Sequence, residues 1–458
     1  MSGRQVISDV LHERVHERVA AVDVAKGNGV VCLRQPDPSR AGQRQSVTWT
    51  VTATMPQVRA LAAELAAAGV QKVTLESTSD YWRIWFYVLE EAGLDVQLVN
   101  ASQARNLPGR PKTDKLDAIW LARLTELGML RPSFVPPAEI RVLRGYARAR
   151  THLVQDRTRY FGRLEKLLED ALIKVSSVAS KMTAISVQDM IQALIDGERD
   201  PLVLAGLARK RMKARHDQLA QALDGMFASH HAELARLLTD QIRFCDQRIT
   251  RLDILIKEQL ASIPAAWGID PDGVTGPGAG QHADTSPRAG GTPQPPVLPA
   301  VVRLDEIPGV SAELAASIIA ETGLDMTRFP TAAHLVSWAG LCPRAINSGP
   351  RTRHGKSHGN AYLRGCLGQA AIGASRTTTF PGERYNRIAR RRGKAKAQVA
   401  VARSILVIIW HLLADPATRY TDLGPGHYHT RTDRTKKTRN HIRQLEALGY
   451  TVTLTPAA

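Results

Sequence analysis

Cysteine is scarce in this 458-residue chain, with four residues, Cys32, Cys245, Cys342 and Cys366, far apart and without a Cys-x-x-Cys pair. That spacing excludes a disulfide framework and offers no cysteine zinc site, so a reduced, cytosolic protein is expected. Aromatic residues are few, at 5%. Long hydrophobic runs are also missing. The longest, Ile405–Leu413, is broken by His411 and falls short of the ~18 apolar residues that suggest a membrane span. It reads as a buried helix. The N-terminal MSGRQVISDVLHERVHERV has no apolar core of a secretion signal. Acids nearly vanish from one long stretch. Between residues 340 and 403 there are 14 Lys/Arg and a single acid, Glu383.

What is present is basic charge. The 61 Lys+Arg outweigh 43 Asp+Glu, giving a net charge of +18 and a pI near 10.1. Such an excess points to a polyanionic partner, most simply nucleic acid; an acidic membrane surface is the weaker alternative. Hydrophobic content of 43% supports real cores, and the length suits about three domains at ~150 residues each.

The hydrophobic pattern divides the chain. After an N-terminal extension, 1–17, residues 18–132 alternate strand and helix signals. RVAAVDVAKGNGVVCLRQ reads as two strands about a glycine turn, and QSVTWTVTA as a third. PQVRALAAELAAAG is an amphipathic helix with Pro in its first turn and Gly at its end. KVTLES is a short buried-type strand, SDYWRIWFYVLEEAG a helix capped at Ser/Asp, and DVQLVN another strand. GRPKTDKLDAIWLARL closes as a helix. Three strands, helix, strand, helix, strand, helix is the order of a ribonuclease-H-like α/β domain. Residues 133–263 read as helical. Leu238, Ile242, Cys245, Ile249, Leu252 and Ile256 form an a/d seam, and Ala147, Val154, Phe161 and Leu168 recur every seven residues. A coiled coil is expected, its partner helix in the same chain or another. Residues 264–300 are a Gly/Pro-rich linker. Residues 301–458 are mostly helical. In them LDEIPGVSAELAASIIAETG resembles half of a helix-hairpin-helix, whose glycine turn meets a phosphate. RIARRRGKAKAQ is the densest basic run and the best candidate phosphate-contact face. The tail reads as a basic helix ending at Gly449, then a strand. The class is therefore α/β plus α.

Four acids fall on this frame in a telling order. Asp23 ends the first strand, Glu76 ends the fourth, and Asp114 and Asp117 open the helix after the fifth. In such a sheet the first and fourth strands are neighbours, and a helix entering there brings both aspartates to the same edge, an i,i+3 pair on one face. Singly, Asp114 and Asp117 read as a helix cap and a first-turn acid. Together the four demand a cation. Hard oxygen ligands suit Mg²⁺ or Mn²⁺, and two such ions can activate a nucleophile and stabilise the leaving oxygen of a phosphodiester.

The chain resembles the DEDD transposases of bacterial insertion sequences, specifically the insertion-sequence-110 family of bridge-RNA-guided recombinases. The resemblance rests on AAVDVAK, VTLESTSDYW and LVNASQARNLPGRPKTDKLDAIWLARL in the first part. In the last part it rests on LDEIPGVSAELAASIIAETG, HLVSWAGLCPRAINSG and GNAYLRGCLGQAA, with GERYNRIARRRGKAK, SILVIIWHLLADP and RNHIRQLEALGYTVTL closing. It implies a RuvC-like nuclease domain, a helical coiled-coil segment and a C-terminal transposase domain. It further implies that Asp23, Glu76, Asp114 and Asp117 bind Mg²⁺ or Mn²⁺, and that Ser348, in INSG, attacks the DNA backbone to leave a phosphoserine link. The site would be composite between subunits. The implied partners are element-end and target DNA and a structured guide RNA. The heptad seam predicts a dimer, and holding two duplexes together predicts, by analogy, a synaptic tetramer.

From the residues alone, Ser348–Gly349 is an ordinary turn and HGKSHGN a loop. Arg351, Arg353, Lys356 and Arg364 are candidates to neutralise the scissile phosphate, with plain backbone contact the alternative for each. Arg390, Arg391, Arg392, Lys394 and Lys396 are further nucleic-acid contacts. Two departures stand out: the linker is long for the family, and Ser357 replaces a frequent Lys. His427 and His429 form an HxH pair that reads as surface loop. Two other functions stay open: a RuvC-like junction nuclease using water, and a non-catalytic nucleic-acid scaffold.

Overall fold

The computed structural model describes residues 15–40, 43–77, 79–100, 114–267, 298–342, 344–348, 351–355, 359–427 and 434–454. The chain forms two compact units, Met1–Val135 and Pro136–Ala458.

In the first unit, strands β1 (Val19–Val24), β2 (Asn28–Pro36), β3 (Arg44–Thr52), β4 (Lys72–Ser77) and β5 (Val96–Asn100) form one sheet. Its order is β3-β2-β1-β4-β5. The first three strands pair antiparallel; β1–β4 and β4–β5 pair parallel. This is the ribonuclease-H-like arrangement the chain order calls for. The period of two along a strand assigns the faces. Ala20, Val22 and Val24 pack against helices α1 (Met55–Ala67) and α2 (Trp82–Glu91), joining Val58, Leu61, Leu65, Trp85 and Leu89. Leu61, Leu65, Leu75 and Leu89 are buried, each contributing about 2 kcal/mol of transfer free energy. Val19 and Ala21 point the other way, against Ala118, Leu121 and Ala122 of α3 (Asp114–Glu126). Helix α2 starts later than the Ser79–Asp80 cap implies. It begins at Trp82, and Asp80 instead pairs with Arg83 at 2.9 Å.

The second unit is helical. Helices α4 (Ala138–Asp170) and α7 (Ser229–Ala261) are each 33 residues long. They run antiparallel: Gln259 donates to the Glu139 carbonyl, Arg150 pairs with Asp253 and Arg157 with Asp246. The heptad seam therefore finds its partner within the chain. Ile242, Cys245, Ile249 and Ile256 are buried, so the seam gives no reason to invoke a second copy. Around one end of the pair, α5 (Ile185–Ile195) and α6 (His216–Leu223) complete a core of Leu164, Leu168, Met190, Leu194, Leu219 and Ile242.

The rest of this unit comprises α8 (Ala312–Thr322), α9 (Ala332–Trp338), strands β6 (Arg344–Ser348) and β7 (Arg351–Gly355), α10 (Ala361–Ala374), α11 (Phe380–Arg392), α12 (Lys394–Ala414) and α13 (Arg434–Ala447). Helix α12 is apolar over more of its length than the nine-residue run implied. An 18-residue window has a mean hydropathy of 1.8, which makes it long and apolar enough to cross a membrane by composition. Here that apolarity serves a core: Val401, Ile405, Leu406, Ile409 and Leu412 are buried. Arg303, 2% exposed, donates to the carbonyls of Leu298, Leu412 and Asp415, satisfying the end of α12. The strand expected after Gly449 does not form across the described residues 450–454.

Candidate active site

Two carboxylates are set by strand register. Val22 of β1 pairs with Leu75 of β4, so Asp23 and Glu76 each stand one residue beyond that pair on adjacent parallel strands. Parity puts Asp23 on the face of Val19 and Ala21, and Glu76 on the face of Thr74. That is the face covered by α3: Thr125 Oγ1 lies 2.7 Å from Thr74 Oγ1. Glu76 is 4% exposed and Asp23 half-buried.

The direction of α3 follows from its far end. Glu126, in the last turn, is ion-paired with Arg34 at 2.5 Å and with Arg44 at 2.6 Å. Arg34 is the register partner of Val19, the first residue of β1. The amide of Val15 also donates to the Glu126 carbonyl at 3.0 Å. The C-terminus of α3 thus lies over the start of β1, and the helix runs back along the strand. At about 1.5 Å per residue, its 13 residues bring the first turn to about the level of the end of β1, where Asp23 and Glu76 stand. Asp114 and Asp117 both fall in that turn, and Asp117 is half-buried. The donor set is all carboxylate oxygen, the chemistry a hard divalent cation takes.

Ser348 belongs to the second unit. It is the last residue of β6 and pairs in register with Arg351, the first of β7. It therefore ends a hairpin strand, where Ser-Gly by itself suggests an ordinary turn. His354 and Gly355 likewise lie in β7, not in a loop. The Gly-Pro pair between RAINS and RTRHG is the local turn signal for this hairpin. Arg351 and Arg353 are on β7, Lys356 lies outside the described residues, and Arg364 is half-buried on α10. Arg390, Arg391 and Arg392 end α11, Lys394 and Lys396 open α12, and all five are exposed. His427 is described, its ring 5.2 Å from that of Phe380; His429 lies outside the described residues.

The glycine turn in IPGV packs against α10. Gly309 has a φ of +90°, and a Cβ there would sit 2.2 Å from the Ala370 carbonyl oxygen of α10. The turn is covered by α10 at van der Waals distance, a packing contact that local sequence does not reveal. A second close approach lies beside the hairpin. A Cβ on Gly359 would meet the carbonyl carbon and oxygen of Ala339 at 2.4 Å. The Ala-Gly-Leu and Gly-Asn motif elements therefore touch.

Three other groups were not legible in the sequence. Glu321 is buried with Arg144, Arg148 and Asn360. Asp170, His230 and His231 bring ligand atoms within 4.8 Å of one another. There His231 Nδ1 accepts the Ala228 amide at 3.0 Å and Nε2 faces Asp170 at 3.3 Å. Both ring nitrogens are thus engaged in clamping the adjoining ends of α4 and α7. Finally, Cys366 borders a cleft of about 600 Å³. Burial pushes its thiol up to about 11, as it does for Cys32, so neither is a ready nucleophile.

A ribonuclease-H-like sheet with carboxylates at the ends of its central parallel strands defines a class of enzymes that process phosphodiesters. The comparisons narrow it. A family model described as "Transposase", of the DEDD IS110 group, matches residues 20–173. A second, "Transposase IS116/IS110/IS902 family", matches residues 302–386. A relative from Streptomyces coelicolor (strain ATCC BAA-471 / A3(2) / M145), "Insertion element IS110 uncharacterized 43.6 kDa protein", is 25% identical over 384 residues, 79% of this chain and 86% of its own. Among solved structures, "Thermus thermophilus RuvC structure" is 13% identical with a TM-score of 0.20, covering 25% of this chain and 99% of that one. "T. thermophilus RuvC in complex with Holliday junction substrate" is 14% identical with a TM-score of 0.19, covering 26% and 100%. The chain belongs to the IS110 family of transposases, and it is an enzyme that cuts and rejoins DNA.

Proposed function

We propose that this transposase moves a bacterial insertion sequence by serine attack on DNA phosphodiesters, with Mg²⁺ or Mn²⁺ held by Asp23, Glu76, Asp114 and Asp117. The observation that carries the reading is the β1–β4 register, with Asp23 and Glu76 side by side on the α3 face. When bound, the metal supplies Lewis-acid activation of the attacking and leaving oxygens. Ser348 Oγ gives up its proton as it bonds to phosphorus, the P–O bond to the leaving strand breaks, and the leaving oxygen takes up a proton. Rejoining reverses the step, with the strand-end hydroxyl displacing the serine. A serine hydroxyl is a weak nucleophile without activation, which gives the acids their purpose. The exposed arginines and lysines of α11 and α12 hold the polyanion, and a structured guide RNA shares that basic surface with DNA in the cytoplasm. Strand exchange between two duplexes calls for a dimer, and a tetramer at synapsis.

The test uses a plasmid carrying the coding region with its native flanks, a transcript of those flanks, and Mg²⁺. The wild-type protein becomes covalently attached to DNA; Ser348→Ala and Asp23→Asn do not. Cleavage by Ser348→Ala with no protein-bound end would instead establish the water-using junction nuclease. Binding indifferent to Mg²⁺ with no cleavage by the wild type would leave a non-catalytic scaffold.

A further inference from the structure

Glu321 is 2% exposed near the end of α8, and it ties three elements together. Arg148 of α4 donates Nε and Nη2 to its two oxygens at 2.7 and 2.8 Å. Arg144, one turn earlier, donates to the backbone carbonyls of Glu321 and Ala320 at 2.7 and 2.9 Å. From the other side, Asn360 Nδ2 donates to Glu321 Oε2 at 2.6 Å. Asn360 also caps α10, its Oδ1 accepting the Leu363 amide at 3.1 Å. In the first turn of α10, the Tyr362 ring lies under the Arg148 guanidinium at 4.4 Å, and its hydroxyl is 2.8 Å from His152 Nε2. Arg148 and His152, one turn apart on α4, therefore grip the start of α10, while Arg144, one turn before them, holds the end of α8.

That start is the downstream root of the β6–β7 hairpin. The upstream root is the end of α9, at Ala339–Gly340, which Gly359 touches backbone to backbone. Chain leaving α9 and chain entering α10 are thus pinned at one place, and the hairpin bearing Ser348 springs from it. Stability alone does not require a carboxylate there, because a buried ion pair is often no better than apolar packing of the same volume. A two-pronged guanidinium–carboxylate contact fixes orientation, which apolar packing does not. We infer that Glu321 is a positioning residue, locking the root of the Ser348 hairpin to the long helix α4. This rests on the reading of Ser348 as the nucleophile.

The experiment takes the full-length protein, the same plasmid, transcript and Mg²⁺, and measures three quantities: the unfolding midpoint, duplex binding by mobility shift, and the rate of covalent attachment at saturating DNA. Glu321→Gln is expected to slow attachment about tenfold or more while binding stays within about twofold, the mark of a misplaced reacting group. Attachment by folded Glu321→Gln at the wild-type rate would overturn the inference. Where Glu321→Gln does not fold, Arg148→Lys carries the test. It keeps the charge but gives up the two-pronged grip, and a wild-type rate there overturns the inference equally. Ser348→Ala separates the two ideas. Attachment by that variant sinks the nucleophile assignment and this inference with it, whereas its loss beside a normal Glu321→Gln sinks the inference alone.

Discussion

Asp23 and Glu76 stand on adjacent parallel strands, each one residue past the register pair Val22–Leu75. Like charges so placed repel, and a divalent cation relieves them. Mn²⁺ should therefore stabilise the folded protein. At ~100 times its dissociation constant the gain is about 2.7 kcal/mol. Asp23→Asn and Glu76→Gln should lose most of it. Thermal unfolding with and without Mn²⁺ measures this, and equal stabilisation of wild type and variants would remove the metal from this edge of the sheet.

Gly309→Ala should destabilise the second unit. The new methyl would fall 2.2 Å from the Ala370 carbonyl at a φ of +90°, so α10 must shift, at a cost of about 2–3 kcal/mol. Chemical denaturation reads the loss. The variant's DNA affinity, measured below its unfolding midpoint, should match the wild type because this side of the turn serves packing on α10; a selective loss of affinity would support a phosphate-binding role for the turn.

Replacing Arg390, Arg391 and Arg392 together with Gln should weaken DNA binding and flatten its salt dependence. For every phosphate that is no longer neutralised, the slope of log affinity against log salt should fall by about 0.9. Titrations at several salt concentrations check this. An unchanged slope would mean that the exposed end of α11 faces only solvent.

Glu306 gives a pH signature. Hydrogen bonds from Arg419, then from the Tyr420 amide, hold its carboxyl below the usual glutamate range. A folded-state value below the unfolded one adds stability that is fully present above the unfolded glutamate value, near ~4.3. That stability is lost as pH falls through the lower folded value. Glu306→Gln should therefore melt below the wild type at pH 7, and the gap should close as pH drops through the glutamate range. A gap that is constant down to acid pH would assign the loss to packing instead.

Much of the first unit was readable in the chain. The nearly continuous apolar run VAAVDV marks a strand buried on both faces, VTLES a short strand beside it, and the order of strands and helices leaves few topologies once parallel crossovers are right-handed. The acids could be tied to elements because Asp23 and Glu76 end strands, and Asp114 and Asp117 open the helix after the fifth strand. The second unit was readable only as helices. The heptad seam of α7 announces that something packs on it, yet periodicity is silent on whether the partner comes from the same chain. Glu321 is the clearest case of what stayed hidden. In IIAETG it looks like a surface acid before a terminating glycine, and it is buried because Arg144 and Arg148, more than 170 residues earlier, reach it.

By itself the sequence determined which residues seek a core, the order of strands and helices in the first unit, and the excess of basic charge that attracts polyanions, since these depend on side-chain type and short-range spacing. Tertiary structure alone decided that α4 and α7 satisfy each other, that Gly309 and Gly359 admit another backbone, that Ser348 ends a strand, and that Glu321 lies at the hairpin's root. Those outcomes hang on contacts between segments far apart in the chain, whose pairing is settled by shape and desolvation when the whole core closes.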